Sequence, residues 1–194
     1  MTLWVKLCRF LARPILFLVG PLRVRGEVSR SGAFLLVCNH LSEADPPVLQ
    51  VACERHIRFM AKTALFRVPL LGWYLRSIGC FPVNQSEADL SAIRRAIELL
   101  KQGEVVGIFP EGKVNRTDEP LLPLTKGAAF IAHQARVPIV VCAVRGTNKV
   151  WPKASPLPRR KHQIAVDFGP TLWFPSSSNE DVTEAIDREL RKLV

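Results

Sequence analysis

Two kinds of apolar pattern recur along this chain. The first is a short continuous apolar run, the signature of a strand buried on both faces. Ala33–Cys38 is the clearest; Val105–Phe109 and Pro138–Val144 follow, and Ile57–Ala61 and Gly79–Val83 are shorter. The second repeats apolar residues every three or four positions. Leu90, Ile93, Ile97 and Leu100 share one helical face behind a capping signature at Ser86 and Asp89, with Gly103 as the stop. Lys126–Arg136 reads as a helix, and Ser178 with Asp181 opens a last one carrying Val182, Ile186, Leu190 and Leu193. Leu65–Ile78 is helical or mixed, with Pro69 and Gly72 as breaks. Gln163–Phe168 alternates polar and apolar, as a strand on a sheet edge does. The alternation predicts an α/β fold, a mostly parallel or mixed sheet flanked by helices. Val114–Pro123 and Trp151–Arg160 are proline-containing loops.

The first 22 residues are apolar, but Lys6, Arg9 and Arg13 interrupt them, and the longest uncharged stretch is Pro14–Leu22. Spanning a bilayer takes about 20 consecutive apolar residues. The three cations recur at i, i+3 and i+7 and share a face; Leu3, Leu7, Phe10 and Leu11 mark the other, with Trp4 near its border. Such a basic amphipathic helix lies in a membrane interface; the alternative is a core-packing helix whose cations meet water. The expected organisation is therefore residues 1–25 as an N-terminal membrane-docking helix and 26–194 as one α/β domain.

The chain has 194 residues, enough for one sizeable core. Its net charge of +10 changes the picture by pointing to an anionic partner: lipid surface, phosphorylated substrate or nucleic acid. A solvated basic surface is the plainer reading. Nucleic acid is disfavoured because aromatic residues do not interleave with the basic clusters Arg94-Arg95 and Arg159-Arg160-Lys161-His162. The five cysteines show no CxxC spacing and read as small buried hydrophobes.

The candidate chemistry sits just after two strands, where polar residues of an open α/β sheet gather in a crevice. Asn39-His40-Leu41-Ser42-Glu43-Ala44-Asp45 follows the first run, and Phe109-Pro110-Glu111-Gly112 ends the second. An imidazole can take a proton from a hydroxyl when its other nitrogen donates to a carboxylate. Asp45 can fold back onto His40 across a strand-to-helix turn, with Pro46 and Pro47 in the first helical turn. A His and an Asp that merely cap a helix would look the same. Ser42 as a nucleophile lacks a GxSxG elbow. Metal binding by His40, Glu43 and Asp45 lacks a second His or an HExxH. Lys113, Arg116 and Lys126 are candidates for gripping a phosphate, Lys126 at an expected helix start.

These blocks, in this order, resemble the glycerolipid acyltransferases, in particular the bacterial 1-acyl-sn-glycerol-3-phosphate acyltransferase family, over about residues 30–170. Asn39–Pro46 is similar to the NHxSxxDP block, Gly79–Gln85 to the second, Phe109–Gly112 to FPEG, and Val137–Val140 to the VPIV-type block. The resemblance implies that His40 and Asp45 are the catalytic pair. It implies that Glu111 and Gly112 shape the acceptor pocket, and that acyl-CoA or acyl carrier protein donates to a lysophospholipid acceptor at an anionic membrane surface. It implies no metal or redox cofactor and no nucleic acid. Two departures stand out: Gln85 where the family usually has an arginine that contacts phosphate, and Lys113-Val114-Asn115-Arg116 where Thr-Arg-Ser usually follows FPEG.

Overall fold

The apolar runs assemble into one seven-stranded sheet. The strands are β1 (Leu22–Arg25), β2 (Phe34–Cys38), β3 (Ile57–Lys62), β4 (Phe81–Val83), β5 (Val105–Ile108), β6 (Ile139–Arg145) and β7 (Ile164–Leu172), in the order β1-β7-β6-β2-β5-β3-β4. The computed structural model describes residues 3–84, 89–152, 159 and 162–194, with the backbone alone at residues 9, 13 and 15–19. Every pairing is parallel except that of β6 with β7. β2 lies mid-sheet and is buried throughout, which accounts for its unbroken apolar sequence.

Alternate β2 side chains feed two cores. Leu35 and Val37 pack with α4 (Leu90–Lys101), α5 (Gly127–Ala135) and α7 (Asn179–Leu193). Phe34, Leu36 and Cys38 face the opposite way, with Val48 and Leu49 of α2 (Asp45–Ala52). On the α2 side lie also α1 (Leu3–Val19), against α2, and α3 (Pro69–Ser77), which α1 meets through Trp4 and Trp73. α6 (Thr147–Val150) is a single turn after β6.

Three details differ from the sequence expectation. Asp89 itself caps α4, its side chain accepting from the Ser91 and Ala92 amides, while Ser86 lies outside the described residues. Pro69 opens α3 rather than breaking it, because its fixed φ suits a first helical turn. Gly72 is buried inside α3; a Cβ there would come within 2.3 Å of the Phe66 carbonyl oxygen in the preceding 3-10 turn, Thr63–Arg67. Third, β7 is not an edge strand. β1 covers it, and the alternating Leu-Arg-Val-Arg of β1 carries the exposed pattern of a true edge.

Among the described residues no helix is long and apolar enough to cross a membrane. α1 buries Val5 but leaves Leu3, Leu7, Phe10 and Leu11 exposed, so the apolar face read from the spacing is not used on the protein's own core. Lys6 is exposed, and the side chains of Arg9 and Arg13 lie outside the described ones.

Candidate active site

β2 and β5 are adjacent and parallel, so the residues after Cys38 and Ile108 emerge side by side. His40 and Asp45 meet there. The His40 Nδ1 lies 2.8 Å from Asp45 Oδ2, and the same oxygen accepts from the Leu41 and Ser42 amides at 2.7 and 2.9 Å. A carboxylate accepting two backbone N–H bonds takes a third from Nδ1 as proton acceptor. In the neutral imidazole, Nδ1 therefore carries the hydrogen and the lone pair is on Nε2. Asp45 is fully buried and is the first residue of α2, where the helix dipole favours its charge.

The imidazole is held from the flank as well. It stacks on Phe109 at 3.9 Å between centroids and 14° between planes, and Phe59 stacks behind Phe109 at 5.7 Å. Gly107 makes room for that column, because a Cβ there would lie 2.4 Å from the Phe59 ring. The His40 side chain is only 15% exposed.

The backbone of His40 is clamped on both sides. Its N–H donates to Glu111 Oε1 at 2.7 Å, and its C=O accepts from the Asn115 N–H at 2.6 Å. Glu111 is buried, and its second oxygen accepts from the Leu122 N–H at 2.9 Å. Burial pushes the Glu111 carboxyl up, and the two amide bonds pull the other way. Both oxygens of Glu111 are thus engaged in tying the His40 turn to the loop after β5. We expect Glu111→Gln to strand one of those two amides, since an amide NH₂ cannot accept. The cost would be about 1–3 kcal/mol in unfolding free energy, read as a lower denaturant midpoint, with slower turnover as the turn loosens. An unchanged midpoint would show that the clamp contributes nothing.

Two asparagines were not assigned a role from the sequence. Asn39 is buried and bonds both the N–H and C=O of Val144, fastening the end of β2 to β6. Buried Asn115 closes the loop on itself, donating to the Glu119 C=O and accepting from the Thr117 N–H and hydroxyl. Asn39 opens the NHxSxxDP-like block and Asn115 follows the FPEG-like one, but neither position reveals its partner, which for Asn39 is 105 positions away.

The expected phosphate cations separate. Arg116 bonds Glu43 at 2.7 Å, across from the His40 turn. Lys126 is paired with Glu180 at the start of α7 and is the N-cap residue of α5. Lys113 and Gly112 are exposed beside Glu111, Gly112 with φ of +70°. Gln85 lies outside the described residues. Ser42 is buried, its hydroxyl donating to the Trp151 C=O at 3.3 Å and accepting from the Ala44 N–H, and it touches neither His40 nitrogen within the described hydrogen bonds. With Glu43 on Arg116 and Asp45 on His40, no group of three or more His, Cys, Asp or Glu side chains gathers for a metal among the described residues. The arrangement holds an oriented, weakly solvated imidazole at the rim of the sheet.

The family model described as Acyltransferase matches residues 21–145. The 1-acyl-sn-glycerol-3-phosphate acyltransferase of Bacillus subtilis is 36% identical over 146 residues, covering 74% of this chain and 72% of its own length. A chloroplastic 1-acyl-sn-glycerol-3-phosphate acyltransferase of Brassica napus is 34% identical over 121 residues, which is 61% of this chain and 35% of that longer protein. The crystal structure of PlsC, the 1-acyl-sn-glycerophosphate acyltransferase of Thermotoga maritima, superposes with a TM-score of 0.82 at 24% identity, covering 98% of this chain and 78% of that one, and shows the same fold.

Proposed function

Because this chain belongs to the acyltransferase family, we propose that it transfers a fatty acyl group from a thioester to the free hydroxyl of lysophosphatidic acid, giving phosphatidic acid for phospholipid synthesis. The donor would be acyl-CoA or acyl carrier protein. The observation that carries the reading is the Nδ1–Asp45 bond, which leaves His40 Nε2 free to act as a base. Nε2 takes the acceptor's hydroxyl proton as that oxygen attacks the thioester carbonyl. The tetrahedral intermediate collapses with cleavage of the C–S bond, and the imidazolium returns its proton to the departing thiolate. Asp45 holds the ring and offsets the imidazolium charge. Glu111 supports the pocket through the His40 amide, and Gly112 borders it. Lys113, Arg116, Lys126 and Gln85 remain the candidates for the acceptor's polar head.

Relatives named for the same reaction support this acceptor. The test is purified protein with both thioester donors and two acceptors, lysophosphatidic acid and a monoacylglycerol of the same chain. Acylation of the phosphate-bearing acceptor alone is expected; equal rates on both would refute the phosphate reading. Arg116 is the cation we expect to matter most, because it sits against Glu43 near His40, whereas Lys126 is turned to Glu180 and more exposed. A charge-assisted bond to phosphate contributes about 1.5–3 kcal/mol when enclosed, so for the half-exposed Arg116 we expect Arg116→Ala to raise KM for lysophosphatidic acid roughly tenfold. Lys126→Ala should change it less.

The reaction's substrates are lipids, and the exposed apolar face of α1 with Lys6 on its polar side supports peripheral attachment to an anionic membrane surface, on its cytoplasmic face.

A further inference from the structure

Sixteen large hydrophobic side chains are exposed among the described residues, and eleven of them lie in two segments, α1 and the stretch 65–74. Leu65, Val68, Leu70, Leu71, Trp73 and Tyr74 make up the second set, with Leu70 84% and Trp73 59% exposed. The two sets form one surface. Trp4 of α1 meets Trp73 edge-on at 5.6 Å, and its indole N–H donates to Ser77 Oγ at 2.9 Å. A continuous exposed apolar surface of this kind calls for a partner.

The charge distribution identifies it. Ten of the 27 Lys and Arg fall in residues 1–26 and 55–84, and none of the 17 Asp and Glu does. The rest of the chain holds 17 charges of each sign, so the whole net charge of +10 belongs to the two segments that carry the apolar surface. Lys6, Lys62, Arg67 and Arg76 are exposed there. Apolar and aromatic tips with cations around them, and no acid, fit the headgroup boundary of an anionic leaflet.

We propose that the 3-10 turn Thr63–Arg67 and α3 insert into an anionic phospholipid leaflet beside α1, so that docking is shared by two elements distant in sequence. The inference deepens the functional reading above. β3, which leads into this turn, runs parallel to β5 and β2, so the turn leaves the same end of the sheet as His40. Insertion here would hold that end at the lipid surface from which acceptor and product exchange. A neutral leaflet would leave the acid-free charge unused, and a second copy would bring like charges together.

The experiment uses the full chain without substrate, so its outcome is independent of whether the acyl-transfer reading holds. Val68→Ser/Leu70→Ser removes two exposed tips and leaves the Trp4–Trp73 contact of α1 in place. Each large apolar side chain withdrawn from lipid should weaken partition by about tenfold, so roughly a hundredfold loss is expected on phosphatidylcholine–phosphatidylglycerol vesicles by co-sedimentation. The circular-dichroism melt should be unchanged, and wild-type binding should fall with salt and on pure phosphatidylcholine. Undiminished partition of the double variant would overturn the proposal. A second measurement covers the case of a misfolded variant. With Trp4, Trp151 and Trp173 replaced by Phe, the remaining Trp73 should be quenched by brominated lipid; absence of quenching on bound vesicles would overturn the proposal. So would sedimentation of the wild type as a dimer that the double variant abolishes, with no Trp73 quenching by lipid, because the surface would then join two copies of this chain.

Discussion

His40→Ala should lower kcat for acyl transfer by about 10²–10⁴-fold, the usual contribution of a positioned general base, while the protein stays folded. The fold should survive because the bonds that fix this turn are made by the His40 backbone. Its N–H to Glu111 and its C=O to the Asn115 N–H do not involve the ring. What the substitution removes is a ring stacked on Phe109 whose one side-chain hydrogen bond, among the described residues, runs from Nδ1 to Asp45. Asp45 would keep the Leu41 and Ser42 amides as partners, so its buried carboxylate would not be stranded. Steady-state rates with saturating donor, next to a thermal melt, provide the check. Turnover near the wild-type value in a folded His40→Ala protein would remove His40 from the chemistry and leave it as a structural residue of the turn.

The sequence revealed the strands best where burial on both faces demanded unbroken apolar runs. Phe34–Cys38 and Ile139–Arg145 lie in the middle of the sheet and read that way. Leu22–Arg25 did not, because an edge strand needs only one covered side and alternates with arginine. The meeting of His40 and Asp45 was legible because both lie within one strand-to-helix turn, where local geometry settles the contact. Its supports were not. Glu111 reaches the His40 amide across 71 positions, and Phe59, Gly107 and Phe109 come from two strands whose adjacency no periodicity encodes. The same reasoning explains the cations. Spacing put Lys126 at a helix start, correctly as the N-cap of α5, yet nothing local reveals that Glu180, 54 positions on, holds its ammonium. Amphipathic spacing showed that α1 has an apolar face but not that α3 extends it through Trp4 and Trp73.

Asp45→Asn separates two roles of the carboxylate, and we expect kcat to fall by about tenfold with the acceptor KM little changed. In this turn the Oδ2 position faces three donors: the His40 Nδ1–H and the amides of Leu41 and Ser42. An asparagine must therefore aim its oxygen there, because its NH₂ would meet two fixed N–H groups and have nothing to donate to. The imidazole keeps its orientation and its tautomer, with Nε2 still unprotonated and available. Only the negative charge is lost, and with it the stabilisation of the imidazolium that forms as the hydroxyl oxygen attacks. A hydrogen bond to a charged group contributes about 1.5–3 kcal/mol against about 0.5–1.5 for a neutral one, a difference of about 1–1.5 kcal/mol, which is roughly tenfold. The NH₂ would take the place of Asp45 Oδ1, a buried atom with no hydrogen-bond partner among the described residues, so some stability is lost as well. Asp45→Ala should be worse on both counts, since it leaves the two amides unpaired and the ring free to turn. A loss in Asp45→Asn as deep as in His40→Ala would mean that the tautomer had failed after all. No loss would mean that the imidazolium never forms, and the base mechanism would fall with it.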